Sequence, residues 1–281
     1  MSSNLRSVVI DASKRQGRTS LKLIWQYRDL LLLLVRRDFV AFYKQTVLGP
    51  IWFFFKPIFS AAVYLYVFGE LAGLSTDGIP APLFYISGIT AWSYFSETVA
   101  TISQVLISNA AIFGKVYFPR LIMPISVIFS NMFKLFIQIA LILVIFLVYV
   151  FGDSEISFGI NMLLLPFVIA LIALQALGVG LFVASISTKY RDISMLIGYL
   201  LQLGLFISPV VFPLSSIQGK FRTLLALNPM TVPLELFKYT FFARGTITPY
   251  ELAYSIVITA VLVSVGIFSF NRAEKTFVDT I

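Results

Sequence analysis

The sequence predicts an all-α integral membrane protein with six transmembrane helices per subunit, an N-terminal amphipathic interface helix and short re-entrant helices between spans five and six. Three observations carry that prediction. Apolar residues make up 59% of the 281-residue chain and charged residues 12%, against about 25% charged in a soluble domain. Apolar runs long enough to cross a bilayer, roughly 20 residues each, recur six times. The 21 basic and 13 acidic residues flank those runs and do not line one soluble face, so the net charge of +8 points to anionic lipid and away from nucleic acid.

In chain order, residues 1–19 form a cytoplasmic tail. It carries Arg6, Lys14, Arg15 and Arg18 but no apolar stretch with a small-residue cleavage site, so no cleavable signal peptide is expected. Residues 20–46 set Leu21, Ile24, Trp25, Leu31, Val35 and Phe39 at spacings of three, four and seven, among Lys22, Arg28, Arg36, Arg37 and Lys44. Such a helix is too charged to span and belongs in the cytoplasmic interface, its bases toward lipid phosphates; a passive anchor is the plainer alternative. Residues 47–270 hold the six spans, near 51–74, 83–106, 121–151, 160–187, 195–212 and 252–270. Within them, 213–250 is too polar to span and too apolar for a free loop. Pro213, Asn228-Pro229 and Pro233 divide it into two half-helices dipping back into the membrane, with Asn228 placed to cap the helix begun by Pro229. Residues 271–281 are a second cytoplasmic tail.

Orientation follows from the basic residues. Fifteen of them, nine before the first span and then Lys115, Arg120, Lys189, Arg191, Arg272 and Lys275, fall on one side, the cytoplasm. The opposite loops, 75–82 and 152–158, contain Asp77, Asp153 and Glu155 but no base. Lys220, Arg222, Lys238 and Arg244 breach the rule, which phosphate-bearing lipids would excuse.

Four features bear on function. The stretch Lys115-Val116-Tyr117-Phe118-Pro119-Arg120 packs aromatics and bases into a short cytoplasmic loop: either a knob that docks on another protein or interfacial aromatics beside topology-setting bases. Thr188 to Asp192 is a second such loop, with Asp192 placed to cap span five. Ala176, Gly180 and Ala184 put small residues on one face of span four for close helix contact. Inside the spans only Lys56, Glu97 and Lys134 carry charge, with Glu70 near an outer end, read as three isolated groups and a poor ion relay. Aromatics reach 16%; many serve as interfacial belts, yet flat faces with hydrogen-bonding edges also suit a path along which sugar rings slide. The absence of Cys and His removes thiol nucleophiles, Ser-His-Asp triads and His/Cys metal sites. Gly114-Lys115 and Gly219-Lys220 are followed by Val116 and Phe221, not the Ser or Thr of a phosphate-binding loop.

Several segments occur together in a familiar order: Tyr43-Lys44-Gln45-Thr46-Val47-Leu48-Gly49-Pro50-Ile51-Trp52, Ser87-Gly88 with Trp92 and Phe95, the Lys115 to Arg120 stretch, Tyr190-Arg191-Asp192, Ser208-Pro209-Val210-Val211-Phe212-Pro213, Leu227-Asn228-Pro229-Met230 and Glu274-Lys275-Thr276-Phe277. Over nearly the whole chain they resemble the transmembrane subunit of type 2 ABC exporters for cell-surface polysaccharides, the O-antigen and teichoic-acid permeases. The resemblance implies a homodimer in the bacterial inner membrane with both termini cytoplasmic, driven by two copies of an ATP-binding cassette subunit. ATP and Mg would bind that partner, with no cofactor or metal on this chain. It implies ATPase coupling through Lys115 to Arg120 with Tyr190, Arg191 and Asp192, and an interface helix bearing Trp25, Arg28, Arg36, Arg37 and Lys44. It further implies channel aromatics Trp52, Phe55, Phe59, Tyr64, Tyr85, Trp92 and Phe95, and gate residues Pro209, Pro213, Asn228, Pro229 and Pro233. The cargo would be an undecaprenyl-diphosphate-linked glycan, O-antigen first; teichoic acid, capsule or a small molecule is the alternative.

Overall fold

The computed structural model describes residues 25–44, 51–113, 116, 118–152, 159–190 and 192–278. Among them all regular structure is helical. In order come α1 (Arg28–Lys44), α2 (Trp52–Tyr64) continuing as a π-helical stretch Leu65–Leu71, α3 (Ala81–Ser103), the short α4 (Val105–Ser108) and α5 (Ala110–Phe113), and α6 (Ile122–Val150). A 3-10 turn Ile160–Leu164 leads into α7 (Leu165–Ser187), followed by α8 (Ile193–Phe206), a second 3-10 turn Leu214–Ser216, α9 (Lys220–Leu227), α10 (Thr231–Phe242) and α11 (Pro249–Val278). Pro82, Pro124, Pro166, Pro233 and Pro249 each fall within the first turn of a helix, where the missing N–H has no partner to lose. α11 also starts on a capping box: the Thr248 N–H donates to Glu251 Oε2 at 2.8 Å and the Glu251 N–H to Thr248 Oγ1 at 3.3 Å.

Four helices are long and apolar enough to cross a membrane: Trp52–Leu71, Ile122–Val150, Ile160–Ser187 and Pro249–Glu274. α3 is long enough but more polar, because it is the centre of the bundle. Sixteen of its 23 residues are buried, among α2, α6, α7, α8 and α10, so Ser87, Thr90, Thr98, Ser103, Tyr85 and Tyr94 face protein and not lipid. α8 departs from the predicted span 195–212. It ends at Phe206, and its 14 residues reach only about 21 Å at 1.5 Å per residue, short of the ~30 Å hydrocarbon core. Pro209 disfavours helix at Ser208 and brings no N–H of its own, and the chain turns inward there.

The small face of α7 closes within the chain. A Cβ on Gly180 would lie 2.8 Å from Ile102 of α3. A second close approach was not anticipated: a Cβ on Gly178 would meet the Leu262 backbone at 2.5 Å, and one on Gly266 the Gly178 carbonyl oxygen at 2.4 Å. α7 and α11 therefore touch backbone to backbone, the contact that small residues permit in membranes.

Candidate functional site

At one end of the bundle the residues after α8 fold into a buried knot. Ser208, Pro209, Val210, Val211 and Pro213 are all buried, and Gly88 of α3 makes room for them, since a Cβ there would sit 3.1 Å from the Val210 carbonyl oxygen. Lys238 of α10, 1% exposed, donates to the Pro209 carbonyl at 3.0 Å and to Glu235 Oε1 at 2.7 Å. Its ammonium lies 4.3 Å from the centroid of the Phe84 ring. Glu235 in turn accepts from the Leu214 N–H at 3.4 Å. Such a pair tolerates burial only because each charge is hydrogen-bonded.

The turn between α9 and α10 is held from three sides. Asn228 Nδ2 donates to Ser208 Oγ at 2.9 Å, and Gln175 Nε2 of α7 donates to the Pro229 carbonyl at 3.1 Å and to Thr259 Oγ1 of α11 at 2.9 Å. Tyr254 donates its hydroxyl to the Leu227 carbonyl at 2.9 Å. Asn228 does not cap a helix begun by Pro229: α10 starts at Thr231 without a side-chain cap, and Asn228 Oδ1 accepts from the Met230 N–H at 3.0 Å. Pro233 is the third residue of α10, within its first turn. Among the bases that breach the charge rule, Lys238 has the internal partners given above, and Arg222 donates to Glu251 at 2.9 Å. Arg244 lies against Gly78, whose added Cβ would be 2.9 Å from Nη1, and Ser215 donates its hydroxyl to Asp77. The acidic 75–82 loop and the 213–250 segment thus share this end.

The predicted channel aromatics separate into two sets. Trp52, Phe55 and Phe59 form an exposed ladder on α2, with Phe55 and Phe59 stacked at 5.9 Å and 8°, and half-buried Tyr64 stands edge-on to Phe68 at 5.4 Å. Tyr85, Trp92 and Phe95 instead belong to the chain's own core, because α3 is central; Trp92 packs on Gly204 of α8.

At the opposite end, Phe118 and Arg120 are fasteners and not an outward knob. Phe118 is buried, 5.7 Å from the Phe113 ring. Arg120 donates to the Glu274 carbonyl at 3.0 Å, with Nε 3.6 Å from its carboxylate, and covers Phe113 at 5.3 Å. The tail motif and the loop motif are therefore in contact. Pro119 is half-buried between them, while Val116 and Tyr190 are exposed, with Lys189 Nζ 5.2 Å from the Tyr190 ring centre. Lys115, Tyr117 and Arg191 lie outside the described residues. Asp192 flanks α8 but makes no side-chain cap; its backbone carbonyl accepts from Met195 and Leu196. α1 buries Leu34 and Val35 and packs on α6, leaving Trp25, Arg28, Arg36, Arg37 and Lys44 exposed.

The three charges within the spans are not isolated. Glu97 of α3 accepts from Lys56 of α2 at 2.7 Å and lies 3.6 Å from Lys134 of α6. Beside them Asp38 of α1, paired with Arg37 at 2.8 Å, accepts from Ser130 of α6 at 3.3 Å. Among the described residues no group of three or more His, Cys, Asp or Glu is placed to hold a metal ion.

Residues 29–242, from α1 through α10, match the ABC-2 type transporter family. The chain belongs to that family. This ABC-2 transporter chain is 27% identical to the O-antigen export system permease protein RfbA of Myxococcus xanthus, over 92% of its own length and 97% of the relative's. It is 24% identical to RfbA of Klebsiella pneumoniae, over 89% and 94% of the two chains. To the polysialic acid transport protein KpsM of Escherichia coli it is 24% identical, over 81% and 87%. Two of these relatives are permease proteins of an export system and the third is a transport protein; with four helices long and apolar enough to cross a membrane, the ABC-2 chain is a multi-pass membrane protein.

Proposed function

We propose that the chain is the channel-forming subunit of an ATP-driven exporter that moves an undecaprenyl-diphosphate-linked polysaccharide, O-antigen first, across the bacterial inner membrane. The observation that carries this is the end-to-end likeness to two O-antigen export permeases; the polysialic acid relative, matched over less of the chain, makes a capsular polymer the second candidate cargo. Two copies form the channel, and two ATP-binding cassette subunits, which hold ATP and Mg, seat on the cytoplasmic end. Six spans cross the membrane, with α3 and the α8 unit completing the four long apolar helices, and both termini are cytoplasmic. In support, Phe113, Phe118, Arg120 and Glu274 share one end of the bundle, and the acidic loop and the 213–250 segment share the other.

The exposed ladder Trp52, Phe55 and Phe59 offers flat faces for sugar rings, and the exposed apolar side of α8, including Leu196, Tyr199 and Leu203, is available to the second copy or to lipid. Coupling passes through the exposed Val116 and Tyr190 together with Lys115, Tyr117 and Arg191, while Phe118 and Arg120 hold that surface in place. The gate is the 213–250 segment with Pro209, Pro213, Asn228, Pro229 and Pro233.

Proteoliposomes carrying this chain and its ATP-binding partner should translocate lipid-linked glycan on ATP addition, and neither subunit alone should. Transporter-like ATP hydrolysis by this chain alone would overturn the proposal. Tyr190→Ala should uncouple hydrolysis from export in a complex that still assembles, whereas Phe118→Ala, by opening a cavity, should cost about 3–5 kcal/mol and the complex itself. Normal export by Tyr190→Ala would return that loop to a topology role.

A further inference from the structure

α11 is gripped at both ends of the bundle by groups from distant parts of the chain. At its start Glu251 accepts from Arg222 of α9 at 2.9 Å. Tyr254, three residues on and on the same face, donates its hydroxyl to the Leu227 carbonyl at the end of α9 at 2.9 Å. Near the other end the Glu274 carbonyl accepts from Arg120 at 3.0 Å, with Arg120 Nε 3.6 Å from the Glu274 carboxylate. We propose that α11 is a rigid link coupling the Arg120 loop to α9, with Glu274 as one grip and Glu251 with Tyr254 as the other. The link stands on these contacts; that nucleotide drives it rests on the export reading.

Length and stiffness suit α11 to this. From Glu251 to Glu274 the helix runs about 34 Å at 1.5 Å per residue, so its grips stand on opposite sides of a ~30 Å hydrocarbon core. Between them it is one α-helix with no proline after Pro249, and a helix without such a break bends only gently. Its middle is held on one side. The buried positions between the grips, Ser255, Thr259, Gly266 and Phe270, recur at spacings of four and seven, and α11 packs mainly on α7. Where Gly266 meets Gly178 the approach is backbone on backbone, with no side chain keyed between the helices. The polar ties across the seam, to Thr259 at 2.9 Å and Ser255 at 3.4 Å, both come from the one flexible side chain of Gln175. Such a seam permits the shifts of about 1–2 Å that packed helices make as units. The two ends respond differently. α9 has no buried residue and can follow α11, whereas Arg120 covers Phe113, which packs on the buried Phe118, so movement of that loop is passed on to α11.

A contiguous chain of contacts shows a path, and reciprocity shows coupling. Hydrogen exchange of the chain with its ATP-binding subunit in detergent, without nucleotide, reads it. Arg120→Ala should speed exchange of the 220–227 amides about fivefold or more, and Arg222→Ala combined with Tyr254→Phe should do the same at 118–122. α3 and α10 should stay protected in both, which a general loosening of the fold would not allow. Arg120→Lys, which keeps a donor for the Glu274 carbonyl, should restore protection of α9, and the outer double variant carries the test where Arg120→Ala fails to assemble. Faster exchange confined to the end that bears the substitution, or spread equally over α3 and α10, would overturn the link. Thiol labelling of Leu224→Cys in proteoliposomes then tests the drive. It should rise with ATP and lipid-linked glycan in the parent and ignore nucleotide once both outer contacts are removed. A nucleotide response that survives their loss means that another route moves α9, and overturns the link. A parent that ignores nucleotide while exchange is reciprocal keeps the link and overturns the gate of the export reading.

Discussion

α9 and α10 are short neighbouring helices of one segment, yet α10 is buried at every position but one and α9 at none. The difference lies in what each carries. α10 brings its own counter-ion, so Lys238 and Glu235 satisfy each other and also peg the Pro209 carbonyl and the Leu214 N–H. α9 leaves Phe221, Leu224 and Leu227 exposed and is tied mainly by Arg222 to Glu251 and by the turn at Asn228. Moving α10 would uncover a buried ion pair, while moving α9 breaks one part-exposed pair and the hydrogen bonds that Tyr254 and Thr231 donate to the Leu227 and Leu225 carbonyls. In the proposed gate, α9 would therefore be the part that moves, swinging on the Asn228 to Met230 turn, with α10 as its frame.

The largest expected effect tests the frame. Lys238→Met leaves the Glu235 carboxylate buried without its counter-ion, with only the Leu214 N–H to donate to it, and strips the donor from the Pro209 carbonyl; it should cost about 3–5 kcal/mol. Replacing both members, Glu235→Leu with Lys238→Met, should recover most of that loss, since no charge is then left alone. Unfolding of the purified chain in detergent measures both, and a single variant no worse than the double would remove the pair from its role. A smaller loss, about 1–3 kcal/mol, is expected for Gln175→Leu, which strips the donor from the Pro229 carbonyl. Gly178→Ala should cost about the same by forcing α7 off α11; a neutral result there would mean that the two backbones slide apart freely.

Why the sequence discloses α6 and α11 more readily than α10 is a matter of distance along the chain. Apolar runs and helix-starting prolines are local, so the spans can be placed within a few residues of the helices seen. The capping box from Thr248 to Glu251 is equally local and was open to the same reading. Glu235 and Lys238, by contrast, argue against burial until Pro209, some thirty residues earlier, supplies a carbonyl. In the same way Lys56, Glu97 and Lys134 read as strays because their meeting depends on α2, α3 and α6 packing together. The uniformly apolar 195–212 run hides the end of α8, which Pro209 and the Gly88 recess decide.

The smallest effect on stability should carry the largest information on motion. Arg222 and Glu251 are partly exposed, 37% and 14% at their side chains, and pairs of that kind contribute about 0–1 kcal/mol. Glu251 keeps its capping bonds to Thr248 when Arg222 is lost, so Arg222→Ala should leave the unfolding midpoint almost unchanged. It should nevertheless free α9. On this cysteine-free chain, Leu224→Cys in α9 and Tyr239→Cys in α10 report separately to an impermeant thiol reagent. Labelling at 224 should rise with ATP and lipid-linked glycan in the parent and be high at rest in Arg222→Ala, while labelling at 239 stays low throughout. Equal, nucleotide-indifferent labelling at both positions would make the segment a fixed plug, and labelling only from the cytoplasmic side would invert the topology on which the gate depends.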